Sequence, residues 1–326
     1  HPDGQDRREG RGSPDPPAGR TAQREKDPET PHFIPAYSQK VKASKEFQTF
    51  QFDHSFVLNS LKSSMEGYVF HNQPLDTDDL LEQTVKLFNS CKTSLELFDM
   101  LHNMRAYDDS THAHSLNVAL ICRRIGKWLK VDAATLDTLT LCGLLHDIGK
   151  LKIPDEILNK PGKYTDEEFD LVKRHTKFGY ELLKPLNIDP HIKKAALLHH
   201  ERCDGSGYPL KATQKDLDDF SMVVAIADVY DAMTAARSYR APLCPFQVIE
   251  RFEQEGLQKY KPKFILTFLQ HIASTYQNNR VLLSNGQSAN IVMLNQQHLA
   301  RPIVQLNDNS CIDLSTRLDL HIQSIL

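Results

Sequence analysis

Paired cysteines and long apolar runs are both missing from this chain. Its six cysteines are scattered over 326 residues, and none belongs to a C-x-x-C pair. Cysteines spaced in this way are typical of reduced thiols in the core of a cytosolic protein. No apolar run approaches the roughly 18 residues that a membrane helix needs. The N-terminus is charged and rich in proline rather than apolar. The sequence therefore predicts a soluble cytoplasmic protein without a membrane segment.

An excess of basic residues is missing too. The chain has 39 Lys and Arg against 42 Asp and Glu, which gives a formal net charge of -3. A protein that binds extended nucleic acid needs surplus cations to neutralise the phosphate backbone, so we expect no such partner. A small anionic ligand needs only a local basic cluster, and the composition leaves that class of ligand open.

Four segments differ in their patterning. Residues 1–31 carry almost no apolar side chains that could offset the entropy of ordering, so we expect a disordered tail. Residues 32–105 carry apolar positions at mixed helical spacing and predict an N-terminal helical segment. Helical periodicity interrupted by Pro and Gly dominates residues 106–276 and predicts an all-α bundle. Residues 277–326 contain short apolar runs and an Asn285-Gly286 turn, which predict a small antiparallel β module.

Histidine and aspartate recur on successive predicted helices of the bundle, about 24 to 32 residues apart. One set of ligands per helix is how a helical bundle builds a metal site in its core. Apolar neighbours such as Leu144-Leu145 and Leu197-Leu198 predict that these polar groups are buried, which would be costly without a cation. A rival interpretation places the histidines on the surface of a purely structural domain. The candidate ligands are His114, His146, Asp147, His175, His199, His200, Asp228 and Asp231.

Imidazole and carboxylate ligands suit iron, manganese, nickel or zinc better than calcium. Asp147 is the natural shared ligand, because its two oxygens can reach two ions. Two ions roughly 3.5 to 4 Å apart lower the pKa of a bridging water and hold phosphate oxygens during in-line attack. Asp228 and Asp231 share a helix face, so we expect one to ligate and the other to act behind it or at a further ion. The pattern predicts a binuclear centre for phosphoester hydrolysis.

Three cations are candidates for contacting phosphate. Lys150 follows His146 by one helical turn, which would aim its ammonium at the same pocket; the alternative is a cation that offsets the dipole at a helix C-terminus. Arg237 and Arg240 would grip phosphates or stack on bases, or else form an exposed pair. The Gly-rich stretch 205–209 lacks the G-x-x-x-x-G-K-[ST] pattern, which excludes an ATPase P-loop.

Three motifs, His146-Asp147, His199-His200-Glu201-Arg202 and Asp204-Gly205-Ser206-Gly207-Tyr208-Pro209, resemble those of the HD-GYP family of bacterial cyclic di-GMP phosphodiesterases. The resemblance covers about residues 100–275. It implies an HD-domain helical bundle that hydrolyses cyclic di-GMP to linear pGpG by a metal-bridging hydroxide. We expect Asp147 to be shared, His114, His146 and Asp228 to hold one ion, and His175 and His199 to hold the other, with His200 left open. The resemblance itself implies that all seven of these residues are metal ligands. It also implies a catalytic role for Asp147 and Lys150, and substrate contacts by Lys150, Asp231, Arg237 and Arg240.

One position departs from the family. Ser110 stands where members with three metals carry a glutamate, and a neutral hydroxyl is a poor metal ligand. We therefore expect two divalent ions, iron or manganese before nickel or zinc. Onward cleavage to GMP, which the family links to three ions, is left open. The resemblance also implies that the Gly207-Tyr208-Pro209 loop contacts a protein partner, and a homodimer is left open.

Other functions fit the same residues. One is a phosphodiesterase for a mixed cyclic GMP-AMP, or a general HD-type nucleotide phosphohydrolase. Arg237 and Arg240 favour a ligand with two phosphates. Another is a cyclic-dinucleotide receptor with a slow or silent site that signals through the Gly207-Tyr208-Pro209 loop or the β module.

Overall fold

Helices make up most of the part of the chain that the computed structural model describes, which is residues 36–104, 110–235 and 243–326. The predicted disordered tail, residues 1–31, lies outside the described residues. The predicted architecture, an all-α bundle followed by a small antiparallel β module, is confirmed. The helices are α1 (Ala36–Ala43), α2 (Lys45–His71), α3 (Thr77–Ser90), α4 (Ser94–Met104), α5 (Thr111–Trp128), α6 (Ala133–Leu145), α7 (Asp155–Leu158), α8 (Asp166–Lys173), α9 (His175–Leu183), α10 (Pro190–Leu198), α11 (Asp219–Thr234), α12 (Pro245–Glu255) and α13 (Pro262–Thr275), with 3₁₀ segments at Ile148–Lys152 and Leu257–Lys259.

Side-chain caps fix where the central helices begin. The Ser110 hydroxyl accepts a hydrogen bond from the N–H of Ala113 at 3.2 Å and starts α5. Asp189 accepts from the N–H of His191 and precedes Pro190 at the first position of α10. Asp218 accepts from the N–H of Phe220 at the start of α11. Each cap accepts a hydrogen bond from an N–H of the first turn that has no partner within the helix, so the local sequence fixes the residue at which each helix begins.

Helix α5 lies at the centre of the bundle, in contact with α2, α3, α6, α11 and α13. It is buried nearly all round, including both apolar residues and Asn117. Gly143 of α6 lets these two helices approach closely, because a Cβ at this position would lie 2.5 Å from the Cα and 2.7 Å from the N of Ala119. The backbones of α5 and α6 are therefore in direct contact at Gly143 and Ala119.

Gly143→Ala should destabilise the fold by about 1–3 kcal/mol, because the added methyl forces α5 and α6 apart in a filled core. Urea unfolding followed by circular dichroism measures the change. Ser63→Ala, on the exposed side of α2, serves as control and should stay within about 0.5 kcal/mol of the wild type. Equal stabilities for the two variants would contradict the close packing.

The C-terminal strands form one antiparallel sheet in the order β4-β3-β2-β1-β5. Its strands are β1 (Arg280–Leu283), β2 (Ser288–Met293), β3 (Ile303–Leu306), β4 (Cys311–Asp313) and β5 (Ile322–Ile325). The predicted Asn285-Gly286 hairpin joins β1 to β2, and Gly286 takes the left-handed φ of 83° that this turn needs. Arg301 fastens the module to α12 through a 2.7 Å ion pair with Glu250.

A membrane-crossing segment was not expected from the sequence. Among the helices in the described ranges, none combines the length and apolar character needed to span a bilayer.

Candidate metal centre

Seven of the eight candidate ligands meet where the ends of several helices converge. Their side chains form two groups, and within each group one potential ligand atom per residue lies within 4.8 Å of the others. This division matches the partition expected from the sequence and adds His200 to one group, while binding of an ion by either group stays a prediction. One group is Asp147, His175, His199 and His200, and the other is His114, His146 and Asp228.

The interpretation that places the histidines on the surface of a structural domain is wrong for the described residues. His146 and His199 are fully buried and His175 is 1% exposed. The carboxylate side chains of Asp147 and Asp228 are 1% and 11% exposed. Such a concentration of buried polar groups needs a compensating partner.

Helix ends orient three of the imidazoles. The Nδ1 atoms of His146, His175 and His199 donate to the carbonyl oxygens of Gly143, Val172 and Ala195 at 2.8, 2.6 and 2.9 Å. A carbonyl oxygen can only accept, so Nδ1 carries the proton and the lone pair is on Nε2. These bonds also satisfy carbonyls near helix ends. The local geometry therefore turns three Nε2 lone pairs towards the same region.

Asp147 lies between the two groups. Its Oδ2 is 3.2 Å from the Nε2 of His146 and 3.7 Å from that of His114. Its Oδ1 is 3.3 Å from the Nε2 of His175 and 3.6 Å from that of His199. Each carboxylate oxygen thus faces a different pair of imidazoles, which is the arrangement a shared ligand requires.

The charge states of most of these groups suit a cation. Burial lowers the pKa of His175 to about 3 and also lowers the pKa of His199 and His200, so these rings are neutral at physiological pH. Burial alone would raise the pKa of Asp147, but His146 and Lys150 lower it well below its usual range. Neutral imidazole and ionised carboxylate are the forms that bind metals.

His114 is the exception. Burial works to lower its pKa, but hydrogen bonds to Asp228 and Asp231 raise that pKa to about 9. Its Nε2 lies 3.0 Å from the Oδ1 of Asp228. A cation held by both residues would take the place of the proton between them, as ligand deprotonation on metal binding requires.

Two buried atoms support the fit to metal ions directly. Within the described residues, neither the Nε2 of His146 nor the Oδ1 of Asp147 has a hydrogen-bond partner. In addition, the Nε2 atoms of His175 and His199 lie 3.3 Å apart, although the Nδ1 contacts make both of them lone-pair acceptors. Unsatisfied buried acceptors are costly, and lone pairs at this distance repel. The donor set therefore fits divalent cations of the imidazole- and carboxylate-binding kind.

Asp231 lies behind His114. Its Oδ2 is 2.8 Å from the Nδ1 of His114, and the residue is only 2% exposed. This position agrees with the expectation that one aspartate of the Asp228 and Asp231 pair orients a ligand. It favours that role over the substrate contact that the resemblance implied, since the carboxylate is already engaged with the imidazole.

Asp231→Asn should weaken ion binding by the His114 group about tenfold to hundredfold, because the charged acceptor that fixes this ring is lost. Titration of Mn²⁺ into metal-free protein measures the affinity. Asp219→Asn, on the same helix with its carboxylate paired to Lys261 at 2.5 Å, is the control and should bind normally. Unchanged affinity in Asp231→Asn would contradict the orienting role.

The structure describes one of the three predicted cationic substrate contacts. Lys150 lies in the 3₁₀ segment with its Nζ 2.5 Å from the Oδ2 of Asp147, and its side chain is 23% exposed. Lys150 also lies in the last turn of this 3₁₀ segment, as the alternative of a cation near a helix C-terminus predicts. Arg237 and Arg240 lie outside the described residues.

Two features of the site were missed at the sequence level. Glu201 is fully buried and accepts hydrogen bonds from the N–H groups of Leu210 and Ala212. The Tyr208 ring lies against His200, with centroids 4.7 Å apart. The adjacency of Glu201 to His199-His200 was the available signal, and its long-range partners were not visible in the pattern.

The helical part of the chain that carries these residues matches a known family. The HD domain family model matches residues 79–264, which is more than half of the chain. This chain belongs to the HD-domain family, in its HD-GYP branch. A solved HD-GYP-type protein from Bdellovibrio bacteriovorus aligns with a TM-score of 0.50 at 19% identity, covering 72% of this chain and 78% of that one, which supports the fold alone.

Curated relatives of this HD-GYP chain act on cyclic dinucleotides. The cyclic di-GMP phosphodiesterase of Thermotoga maritima is 36% identical over 178 residues, 54% of this chain and 48% of that protein. The 3'3'-cGAMP-specific phosphodiesterase 2 of Vibrio cholerae is 34% identical over 183 residues, 55% of this chain and 35% of that protein. The chain thus aligns with half or less of the length of these two relatives.

Proposed function

We propose that this protein is a metal-dependent phosphodiesterase that opens cyclic di-GMP to linear pGpG. The observation that carries the proposal is Asp147, whose two oxygens face two separate groups of imidazoles. The activity named for the relative from Thermotoga maritima supports the same substrate.

The proposed cofactors are two divalent transition-metal ions, iron or manganese before nickel or zinc. His114, His146 and Asp228 would hold one, His175, His199 and His200 the other, and Asp147 would be shared. Bound ions of this kind activate water and offset the charge on phosphate oxygens. The hydroxyl of Ser110 caps α5 instead of offering a further carboxylate, which supports two ions over three.

The protein's own side chains have separate tasks in this proposal. Lys150, beside Asp147 and partly exposed, neutralises charge that builds up on the phosphate in the transition state. The carbonyl contacts of His146, His175 and His199 hold the rings in one orientation, so no reorganisation is needed when substrate arrives. Arg237 and Arg240 are proposed as phosphate contacts.

A second substrate class is 3'3'-cyclic GMP-AMP, since the relatives from Vibrio cholerae include enzymes specific for it. The two proposals differ in the base that is recognised and share the same chemistry at phosphate. The test is purification without chelator, metal analysis, and incubation with each cyclic dinucleotide and with dNTPs, followed by mass spectrometry of products.

Conversion of cyclic di-GMP to pGpG together with about two ions per chain is the expected result. Faster conversion of cyclic GMP-AMP would shift the proposal to that substrate. A receptor with a silent site would bind cyclic di-GMP tightly and leave it intact after long incubation with Mn²⁺ or Fe²⁺, and that outcome would overturn the enzymatic proposal. A protein partner at the Gly207-Tyr208-Pro209 loop and a homodimer are further proposals from the resemblance.

A further inference from the structure

A buried acid fastens the segment that follows His200. Glu201 is 0% exposed, and its Oε1 and Oε2 accept hydrogen bonds from the N–H of Leu210 at 2.5 Å and of Ala212 at 3.1 Å. A carboxylate this deeply buried is costly unless such donors satisfy it. Glu201 therefore ties the far end of the loop to the turn that carries His199 and His200. We call residues 201–212 the Glu201 loop.

Residues Gly207 and Tyr208 of the Glu201 loop pack directly on the turn that carries His199 and His200. The N–H of Tyr208 donates to the carbonyl oxygen of His200 at 3.3 Å. A Cβ at Gly207 would overlap the backbone of Glu201 and Arg202, so only glycine allows this approach. The loop is thus held at two places, by the Glu201 carboxylate and by the Gly207 backbone contact.

The fastened loop sets Tyr208 against His200. The two rings are 4.7 Å apart at their centroids with an interplanar angle of 31°. His200 needs this support more than the other ligands do. Its Nδ1 lies 3.7 Å from the Oδ2 of Asp228, which is too long for a hydrogen bond, whereas His175 and His199 are each anchored through Nδ1 to a carbonyl.

We propose that Glu201 is a positioning residue that fixes the imidazole of His200 through the loop and Tyr208. It thereby sets the affinity of the group formed by Asp147, His175, His199 and His200 for its ion. The inference rests on the proposed function in one respect, that this group binds a divalent cation. Residues that orient metal ligands from behind change metal affinity by about tenfold to hundredfold when they are removed.

The test is calorimetric titration of Mn²⁺ into the whole chain after metal removal with a chelator. The wild type should bind two ions. Glu201→Ala should weaken one of the two sites by about tenfold or more and leave the other unchanged. Glu201→Gln keeps the shape and one carbonyl acceptor, so it should recover part of the loss. Tyr208→Ala removes the ring that packs against His200 and should weaken the same site.

Asp76 offers a matched control. Its carboxylate also accepts two backbone N–H bonds, from Asp78 and Asp79, but at the start of α3. Asp76→Ala should leave both Mn²⁺ affinities unchanged. Thermal unfolding of the metal-free proteins checks that each variant folds, and if Glu201→Ala does not fold, Glu201→Gln and Tyr208→Ala decide the question.

A double-mutant cycle separates positioning from a general loss of structure. If Glu201 acts through His200, adding Glu201→Ala to His200→Ala should cause no further loss of affinity. Three results would overturn this inference alone. In the first, the double variant loses the product of the two single-variant losses in Mn²⁺ affinity. In the others, both sites are weakened equally, or all Glu201 and Tyr208 variants bind Mn²⁺ normally. A wild-type chain that binds no Mn²⁺ would instead overturn the proposed function, and this inference with it.

Discussion

Asp147→Asn should remove hydrolysis and bound metal together. The amide keeps the shape of the side chain but loses the charge that faces four imidazoles and the Lys150 ammonium. An amide also offers one oxygen where both carboxylate oxygens are needed. We expect hydrolysis of cyclic di-GMP to fall at least about a thousandfold, equivalent to about 4 kcal/mol of transition-state stabilisation. Metal content per chain should fall in the same preparation, and mass spectrometry of products with elemental analysis measures both.

Asp155→Asn is the control for this variant. Asp155 is an exposed carboxylate at the start of α7, eight positions along from Asp147. It should retain both activity and metal. Asp147→Asn protein that keeps its metal, or that still hydrolyses the substrate at the wild-type rate, would contradict the shared-ligand role.

Lys150→Met should separate chemistry from metal binding. The thioether side chain preserves the apolar stem and removes the ammonium that lies 2.5 Å from the Oδ2 of Asp147. Loss of one preorganised positive donor at a phosphate in the transition state is expected to lower kcat about a hundredfold. Metal content should stay at the wild-type level, because an ammonium has no lone pair to offer a cation. Steady-state kinetics and elemental analysis of the same sample measure the two effects.

Lys152→Met provides a nearby comparison. Lys152 lies two residues further along the same 3₁₀ segment, exposed, with its Nζ near the carbonyl oxygen of Val69. Its loss should leave kcat unchanged. A Lys150→Met variant that loses metal as well would show that the ammonium serves mainly to hold Asp147, and not to stabilise the phosphate.

The site could be predicted from the sequence as far as its ligand types and their distribution over helices. His146-Asp147 and His199-His200 follow apolar pairs that end helices, so burial near a helix end could be inferred from the pattern. The two-oxygen geometry suggested for Asp147 is what the structure contains. The position of the Lys150 ammonium beside Asp147 was predicted from its spacing to His146, although the 3₁₀ turn that carries Lys150 was not predicted.

Roles that depend on contacts between distant segments were not accessible in this way. The hydrogen bond that His114 donates to Asp231 joins residues 117 positions apart. No local pattern distinguishes an aspartate that orients a ligand from one that faces substrate. Glu201 was visible as part of a motif, but its partners at Leu210 and Ala212 lie across a loop without regular periodicity. The GYP segment was therefore assigned only a partner-binding role.

The amino-acid sequence by itself determined the helical bundle, the β hairpin and the identity of the candidate ligands. The bundle and the hairpin follow from periodicity, capping residues and turn chemistry, which act over a few residues. The candidate ligands follow from the recurrence of His and Asp on successive helices and from the resemblance to the HD-GYP motifs. Only the tertiary structure decided which imidazoles face which oxygen of Asp147, and which groups stand behind them. These contacts depend on how the helices pack. Rotation of one helix about its axis would place its ligand side chain against a different residue, while the sequence pattern of that helix stayed the same.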